Sequence, residues 1–403
     1  MQKSFKSYRT EHFTESVIRE MTRLAFEKED AINLAQGFPD FPAPEAIKEA
    51  AIRAIQNDDN QYSFTWGSPT LRAAVSKKMR AYNRISADPD KEITISCGAT
   101  EGMIATLLAL VNPGDEAIVF APFYENYAPD TYLSGATRKI VTLYDPDWSF
   151  QEKELASAFN NRTKAIIINT PNNPTGKVFT GEELAFIAGL CQKWGTIAVT
   201  DEIYEYILYD GAVHTSIGSL DGMQDLSVTV NAASKTYSVT GWRVGYVVAA
   251  SYLTDPIRKV HDFLTVCAPT PLQAAAEVAL SLGSEDYQQL AADYLKRRDT
   301  MMSVLEGAGF RCYRPKGAYY IMTDIRAFGF KDDYECAYYL LDEIGIAAVP
   351  GSSFYHRSEL GADKLRFSFS KKDETLNEVT RRFEQLPEKM EKRRPALPVQ
   401  PRK

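Results

Sequence analysis

The chain has 403 residues, 44% apolar and 25% charged, a composition that suits a globular protein and excludes the disordered and membrane-spanning classes. Its formal net charge of -7 lacks the basic surplus that binding a phosphate backbone needs, so nucleic acid is not an expected partner. The length exceeds the usual ~100 to 200 residues of one domain, which points to two domains sharing a site.

In chain order, Met1 to Arg9 carries charges and no apolar run, and no stretch reaches the ~20 apolar residues of a membrane helix, so a cytoplasmic location is expected. Residues 1–44, with the proline-rich stretch Gly37 to Pro44, are expected to pack on a second, smaller domain. From Glu92 onward short β-branched runs alternate with helical periodicity, the pattern of a mainly parallel sheet covered by helices, so the fold class is α/β. ITIS (Ile93 to Ser96) reads as a strand, and the string from Gly98 to Val111 as a helix closed by the turn Asn112 to Asp115. AIVFA (Ala117 to Ala121), KAIIIN (Lys164 to Asn169), IAVTD (Ile197 to Asp201) and SVTVN (Ser227 to Asn231) follow as continuous apolar runs, the mark of buried strands.

Polar and special residues gather just past the carboxyl ends of these runs: Gly98, Ala99 and Thr100, then Asn173, then Asp201 and Tyr204, then Ser234 and Lys235. Open α/β sheets bind their ligands there. After about Ser284 the pattern changes to a long amphipathic helix, followed by strand-like segments near Ala318 to Asp324 and Ile346 to Pro350. The expected division is a large domain over residues 45–285, a small α+β domain over 286–386, and a charged, proline-rich, mobile tail over 387–403. The five cysteines (Cys97, Cys191, Cys267, Cys312, Cys336) are odd in number and form no CxxC pair, so neither a disulfide framework nor a metal site is expected.

The strongest local signal is SKTYSVTGWRVGY, Ser234 to Tyr246. A lysine amine condenses with an aldehyde, and a neighbouring hydroxyl with an arginine eight positions on can hold an anion, so the string suits a carbonyl cofactor bearing a phosphate. A lone lysine is far more often a surface residue, and a lone arginine an ion-pair partner. Lys235, however, follows a buried strand, where an ammonium without a task is costly. Asp201 has the chemistry to pair with a pyridine nitrogen, and Tyr204 and Asn173 to bond a phenolic oxygen, although singly they would be a helix N-cap and turn residues. The helix start at Gly98, Ala99 and Thr100 offers N–H groups and the positive end of a dipole to a phosphate, a weak signal on its own. RFSFS alternates so that Arg366 and Ser368 share a face, and spacing alone does not separate an anion clamp from a structural ion pair.

Six motifs then stand in one order: LAQGFPDFPAP (Leu34 to Pro44), NQY (Asn60 to Tyr62), PNNPTG (Pro171 to Gly176), DEIY (Asp201 to Tyr204), SKTYSVTGWRVGY, and LRFSFSKKDETL (Leu365 to Leu376). Through them the chain from about Ile32 to Leu386 resembles the fold-type I pyridoxal phosphate enzymes, the class I/II aminotransferases. Within these it is most similar to the kynurenine, glutamine and methionine aminotransferase group, which includes cysteine-conjugate β-lyases. The resemblance implies a large domain with a mainly parallel seven-stranded sheet between helices, plus a smaller α+β domain.

It also implies pyridoxal 5'-phosphate held as a Schiff base on Lys235, Asp201 on the ring nitrogen, Tyr204 and Asn173 on the ring oxygen, and Tyr124 stacked on the ring. Gly98, Ala99, Thr100, Ser234 and Arg243 would surround the phosphate, joined by Tyr62 from the other subunit of a homodimer. Arg366 would clamp the substrate α-carboxylate, assisted by Asn173 and the backbone at Gly37. Two positions depart from the pattern. Ala232 stands where many relatives have a serine for the phosphate, and Ile18 where kynurenine-handling relatives place a tryptophan over the substrate.

The implied reaction is ping-pong transfer of an α-amino group from an L-amino acid to a 2-oxo acid, with the freed Lys235 amine moving the α-proton. Dicarboxylate-specific relatives bring a second basic residue across the dimer, but the corresponding segment, HDFLTVCAPTPLQ (His261 to Gln273), has no arginine or lysine. The expected donor is therefore neutral or aromatic, of the methionine, glutamine, phenylalanine or kynurenine type. The alternatives are an aspartate aminotransferase, a cysteine-conjugate β-lyase that expels a leaving group from the same carbanion, and a non-catalytic pyridoxal phosphate sensor. The acidic chain, the lack of a helix-turn-helix pattern before Ile32 and the presence of Arg366 argue against the sensor.

Overall fold

Runs of β-branched residues become strands where both faces are covered, and segments that repeat apolar residues every three or four positions become helices. The computed structural model describes residues 5–11 and 13–393. The chain opens with α1 (Val17–Phe26), β1 (Ile32–Asn33), α2 (Glu45–Gln56) and α3 (Pro69–Lys78). An alternating stretch follows: β2 (Ile93–Ser96), α4 (Gly98–Leu110), β3 (Glu116–Ala121), α5 (Tyr127–Ser134), β4 (Thr137–Thr142) and α6 (Glu152–Ala158). It continues with β5 (Thr163–Asn169), α7 (Gly181–Trp194), β6 (Ile197–Asp201), β7 (Ser227–Ala232), α8 (Ala233–Thr236) and β8 (Gly245–Ala249). Helices α9 (Ser251–Thr265), α10 (Thr270–Leu280) and α11 (Ser284–Gly307) lead to β9 (Arg311–Tyr313) and β10 (Tyr320–Asp324). The chain closes with α12 (Asp333–Tyr339), β11 (Ile346–Ala347), β12 (Val349–Pro350), β13 (Lys364–Ser368), α13 (Asp373–Phe383) and α14 (Leu386–Arg393).

Seven strands form one sheet in the order β2-β8-β7-β6-β5-β3-β4. Neighbours are parallel except at β8, which runs antiparallel to both β2 and β7. Every strand read from a continuous apolar run is present. The two strands of this sheet that were not read are β4, a half-exposed edge strand without an unbroken apolar run, and β8, which has such a run from Tyr246 to Ala249 but begins inside the motif that follows Lys235. A second sheet, β12-β13-β10-β9, is antiparallel, and β1 pairs in parallel with β11, which joins the N-terminal segment to the later part of the chain. One apolar cluster runs from Ile118, Phe120, Ile166 and Ile168 through Leu34 and Ala35 to Ile321 and Phe367. Each buried Leu, Ile or Phe side chain in it contributes ~1.5–3 kcal/mol, so this shared core fixes where the loop after β1 crosses the strand ends of the large sheet.

The expectation of a mobile tail from residue 387 needs correction at its start. Residues 387–393 continue α14: Met390 is buried, the Arg393 guanidinium sits 4.0 Å from the centre of the Phe330 ring, and it pairs with Glu335 at 2.7 Å. The charged composition that suggested mobility is the solvent face of an amphipathic helix. Residues 394–403 of that expectation lie outside the described residues. No helix among the described residues is long and apolar enough to cross a membrane.

Candidate active site

The strand order places the carboxyl ends of β5, β6 and β7 side by side, with Asn169 opposite Asp201 and Asp201 opposite Val230. Just beyond them lies a cavity of about 430 Å³. Asp201 ends β6, Ser234 and Lys235 sit in the single turn of α8 directly after β7, and Asn173 follows β5 by four residues. Ala99 and Thr100 open α4, whose first residue, Gly98, has φ +80°, and a Cβ there would meet Nη2 of Arg243 at 2.3 Å. Only glycine lets the guanidinium lie against the start of the helix. Arg366 enters from the middle of β13, paired with Met322 of β10.

Electrostatics set these groups apart from ordinary surface charges. Burial lowers the Lys235 amine to about 8, with Asp201 opposing that shift and Arg243 and Arg366 adding to it. The ammonium donates to the Gly37 carbonyl at 3.1 Å, which also accepts from the Tyr319 hydroxyl at 2.8 Å. A Cβ at Gly37 would fall 1.8 Å from the Tyr320 hydroxyl, so this approach too requires glycine. Burial pushes Asp201 up to about 6, against the Tyr127 hydroxyl that donates to it at 2.8 Å, the Ile203 N–H, and the charge on Lys235. Asp130, in the same wall, has an Oδ2 with no hydrogen-bond partner, and burial with the nearby Asp201 charge pushes it up to about 8.

Arg366 is fully buried and has no carboxylate within ion-pair distance among the described residues. It donates to Oδ1 of Asn173 at 2.7 Å and to the Ala35 carbonyl, lies over the Tyr320 and Phe354 rings at 4.3 and 4.9 Å, and leaves Nε with no partner. The structural ion pair that spacing allowed is therefore not formed. A desolvated guanidinium without an anion is costly and marks a place for an anionic ligand.

Of the residues singled out from the sequence, Gly37, Ala99, Thr100, Tyr124, Asn173, Asp201, Tyr204, Ser234, Lys235, Arg243 and Arg366 all line the cavity. Gly98 is not among the lining residues; it opens α4 with Arg243 packed against it. Tyr62 is not in it; its side chain is 82% exposed, next to Phe64 at 60%. The Tyr204 hydroxyl is paired with that of Tyr320 at 2.9 Å. Sequence reasoning missed Tyr127, Asp130, Tyr320 and Arg19, which also line the cavity. Tyr127 stood three residues after Tyr124 in APFYENY, a spacing that places it near the same strand end, whereas nothing local to the sequence signals Arg19.

A family model described as aminotransferase class I and II matches residues 29–383. The chain is 35% identical over 390 residues to the N-succinyldiaminopimelate aminotransferase of Mycobacterium tuberculosis, covering 94% of this chain and 97% of that one. It is 34% identical to the kynurenine–oxoglutarate transaminase of Dictyostelium discoideum, with 93% and 94% covered. It is also 34% identical to the methionine aminotransferase of Escherichia coli, with 92% and 96% covered. The solved structure of the M. tuberculosis enzyme matches with a TM-score of 0.92 at 34% identity, over 94% of this chain and all of that one.

Proposed function

This chain belongs to the class I and II aminotransferases, and from that premise we propose that it moves the α-amino group of a neutral or aromatic L-amino acid to a 2-oxo acid, using Lys235 as the proton-transferring amine. The family depends on pyridoxal 5'-phosphate, and its substrates are amino acids and 2-oxo acids. The cavity has the donors such a cofactor needs: a buried acid at a strand end, an amine beside it, and an arginine held at a helix start through Gly98. Arg243, Ser234 and the α4 start at Ala99 and Thr100 would hold the phosphate, Asp201 the ring nitrogen, Tyr204 and Asn173 the ring oxygen, and Tyr124 the ring face. When bound, the cofactor supplies the electron sink that makes the substrate α-proton acidic.

The chain's own groups divide the remaining work. Arg366, with Asn173 beside it, fixes the α-carboxylate, and its unpartnered Nε with no carboxylate in reach is the observation that carries this reading. Lys235 Nζ is the base at the α-carbon. Its lowered proton affinity leaves a usable fraction of free amine near neutral pH. Tyr127 keeps the Asp201 carboxylate oriented.

Ile18, Phe38, Tyr124 and Tyr320 give the cavity apolar walls, which support a neutral or aromatic side chain on the donor, as do the names of the methionine and kynurenine relatives. The exposed Tyr62, Phe64, Phe263 and Leu264 support a homodimer in which Tyr62 reaches the partner's site. The five free cysteines support a reducing, cytoplasmic setting.

The test is a half-reaction. Purified protein is mixed with single amino acids, without any oxo acid, while the cofactor absorbance and ammonia are followed. Bleaching with stoichiometric oxo acid from methionine, phenylalanine or kynurenine, faster than from aspartate, is expected. Continuous ammonia release would establish the lyase instead, and an unchanged spectrum with every amino acid would overturn both.

A further inference from the structure

The cavity holds one more cation than this reaction uses. Arg243, Lys235 and Arg366 each have an assigned task, but Arg19 also lines the cavity, together with Ser16 and Ile18. Its position comes from the docking of α1. Glu125, the residue after Tyr124, accepts from the Ser16 hydroxyl and, at 3.3 Å, from the Ile18 N–H, while Ser16 caps the helix by accepting from the Arg19 N–H at 3.3 Å. Ile18 and Met21 are buried beneath the helix. The start of α1 is thereby clamped at the cavity, and Arg19 lines it close enough to Tyr124 for its charge to act on that phenol.

Arg19 makes no ion pair among the described residues, whereas Arg23, one turn on, takes Glu15 at 3.4 Å. An exposed, unpaired guanidinium at the mouth of a site whose floor already holds one carboxylate clamp suits a ligand with two carboxylates. Its long stem can also swing into solvent when the occupant is apolar. One site can then accept an apolar donor and an acidic acceptor in alternate halves of the same cycle.

We propose that Arg19 is a specificity-determining residue that binds the distal carboxylate of the amino-group acceptor, a 2-oxo acid with a second carboxylate, while Arg366 holds the first. This rests on the transamination reading above. The partner-derived basic residue sought in His261 to Gln273 is not needed, because the cation comes from the N-terminal helix of the same chain.

The experiment uses the cofactor-loaded, full-length protein after its donor half-reaction with methionine, so that the acceptor half is read alone. The ratio of kcat/KM for 2-oxoglutarate to kcat/KM for 2-oxobutyrate is measured in the wild type, Arg19→Met, Arg19→Lys and Arg23→Met. Binding of glutarate against butyrate, neither of which reacts, is followed by the change in cofactor absorbance. The ratio and the glutarate preference are expected to fall roughly tenfold in Arg19→Met, to be partly kept in Arg19→Lys, and to stay at the wild-type value in Arg23→Met. Raising salt should erode the wild-type preference. A ratio in Arg19→Met within twofold of wild type, or a wild type that prefers 2-oxobutyrate, would overturn the assignment. Failure of transamination itself shows separately, as absence of bleaching by methionine in the first half-reaction.

Discussion

Asp201 and Glu202 are chain neighbours, yet they belong to two buried charge clusters of opposite character. On the Glu202 side the charges satisfy one another. Glu202 accepts from Thr200 at 2.9 Å and Ser216 at 2.6 Å and bonds His214 at 2.9 Å, and Asn83 links it to Glu205. Lys78 pairs with Glu205 and with Asn83 at 2.8 Å, inside a cage of Tyr82, Tyr206 and Tyr246. Glu202, Glu205 and His214 have the spacing of a metal site, their ligand atoms lying within 4.8 Å of one another, but the Lys78 ammonium supplies the cation. Although burial pushes Glu202 upward, His214 and the hydroxyls outweigh it and hold the carboxyl below its usual range.

On the Asp201 side the balance is reversed. Asp201 and Asp130 are pushed up, Lys235 is pushed down, and Arg366 and Asp130 keep atoms with no partner. The Glu202 cluster keeps one such atom, Nδ1 of His214. A cluster that closes on itself braces the fold, whereas one left open has been kept ready for a ligand at a cost in stability.

The sharpest way to break this comparison is to remove a cation from each side. Lys235→Ala should lower kcat on the order of 10⁴-fold while leaving the unfolding midpoint at or above that of wild type, because a disfavoured charge has been removed. Assays of turnover beside urea denaturation would expose the error if the variant stayed active. Lys78→Met should do the reverse. Stranding Glu205 should cost about 3–5 kcal/mol, read as a lower urea midpoint at unchanged slope, with kcat per folded molecule kept.

Arg366→Lys, which keeps the charge but loses the planar fork, should lower kcat/KM about 10²-fold toward every amino acid, measured in the half-reaction. An effect confined to stability would make Arg366 a brace.

The smallest effect concerns pH. Asp201 titrates near 6 when folded and lower when unfolded, so the stability it contributes is present in acid and lost as pH rises through about 6. At pH 8 the apo form of Asp201→Asn should therefore exceed apo wild type by roughly 1–3 kcal/mol, with the gap closing by pH 4. The same variant should bind cofactor more weakly. Equal stability of the two apo proteins across that range would remove Asp201 from the open cluster.

Much of this was legible in the residue order. Strands such as KAIIIN announce themselves by unbroken apolar runs, and polar residues placed directly after them mark the ligand end of an α/β sheet. β8 was passed over because its first residues, Gly245 and Tyr246, close the lysine motif, and its antiparallel direction depends on its pairing with β2 and β7. The start of the charged tail was misread because a short amphipathic helix and a solvated coil share a composition. Arg19 was invisible because its place depends on Glu125, 107 residues away from the Ile18 N–H that it anchors.

By itself, then, the sequence determined the α/β architecture, the family motifs and eleven of the residues that line the cavity, since these rest on local periodicity, on residue types at strand ends and on the motifs. Only the tertiary structure decided which buried charges are paired. Arg366 could have met a carboxylate; instead it meets Asn173, 193 positions earlier, and a backbone carbonyl, and whether a charge ends up closed or open depends on such long-range approaches, which no local pattern encodes.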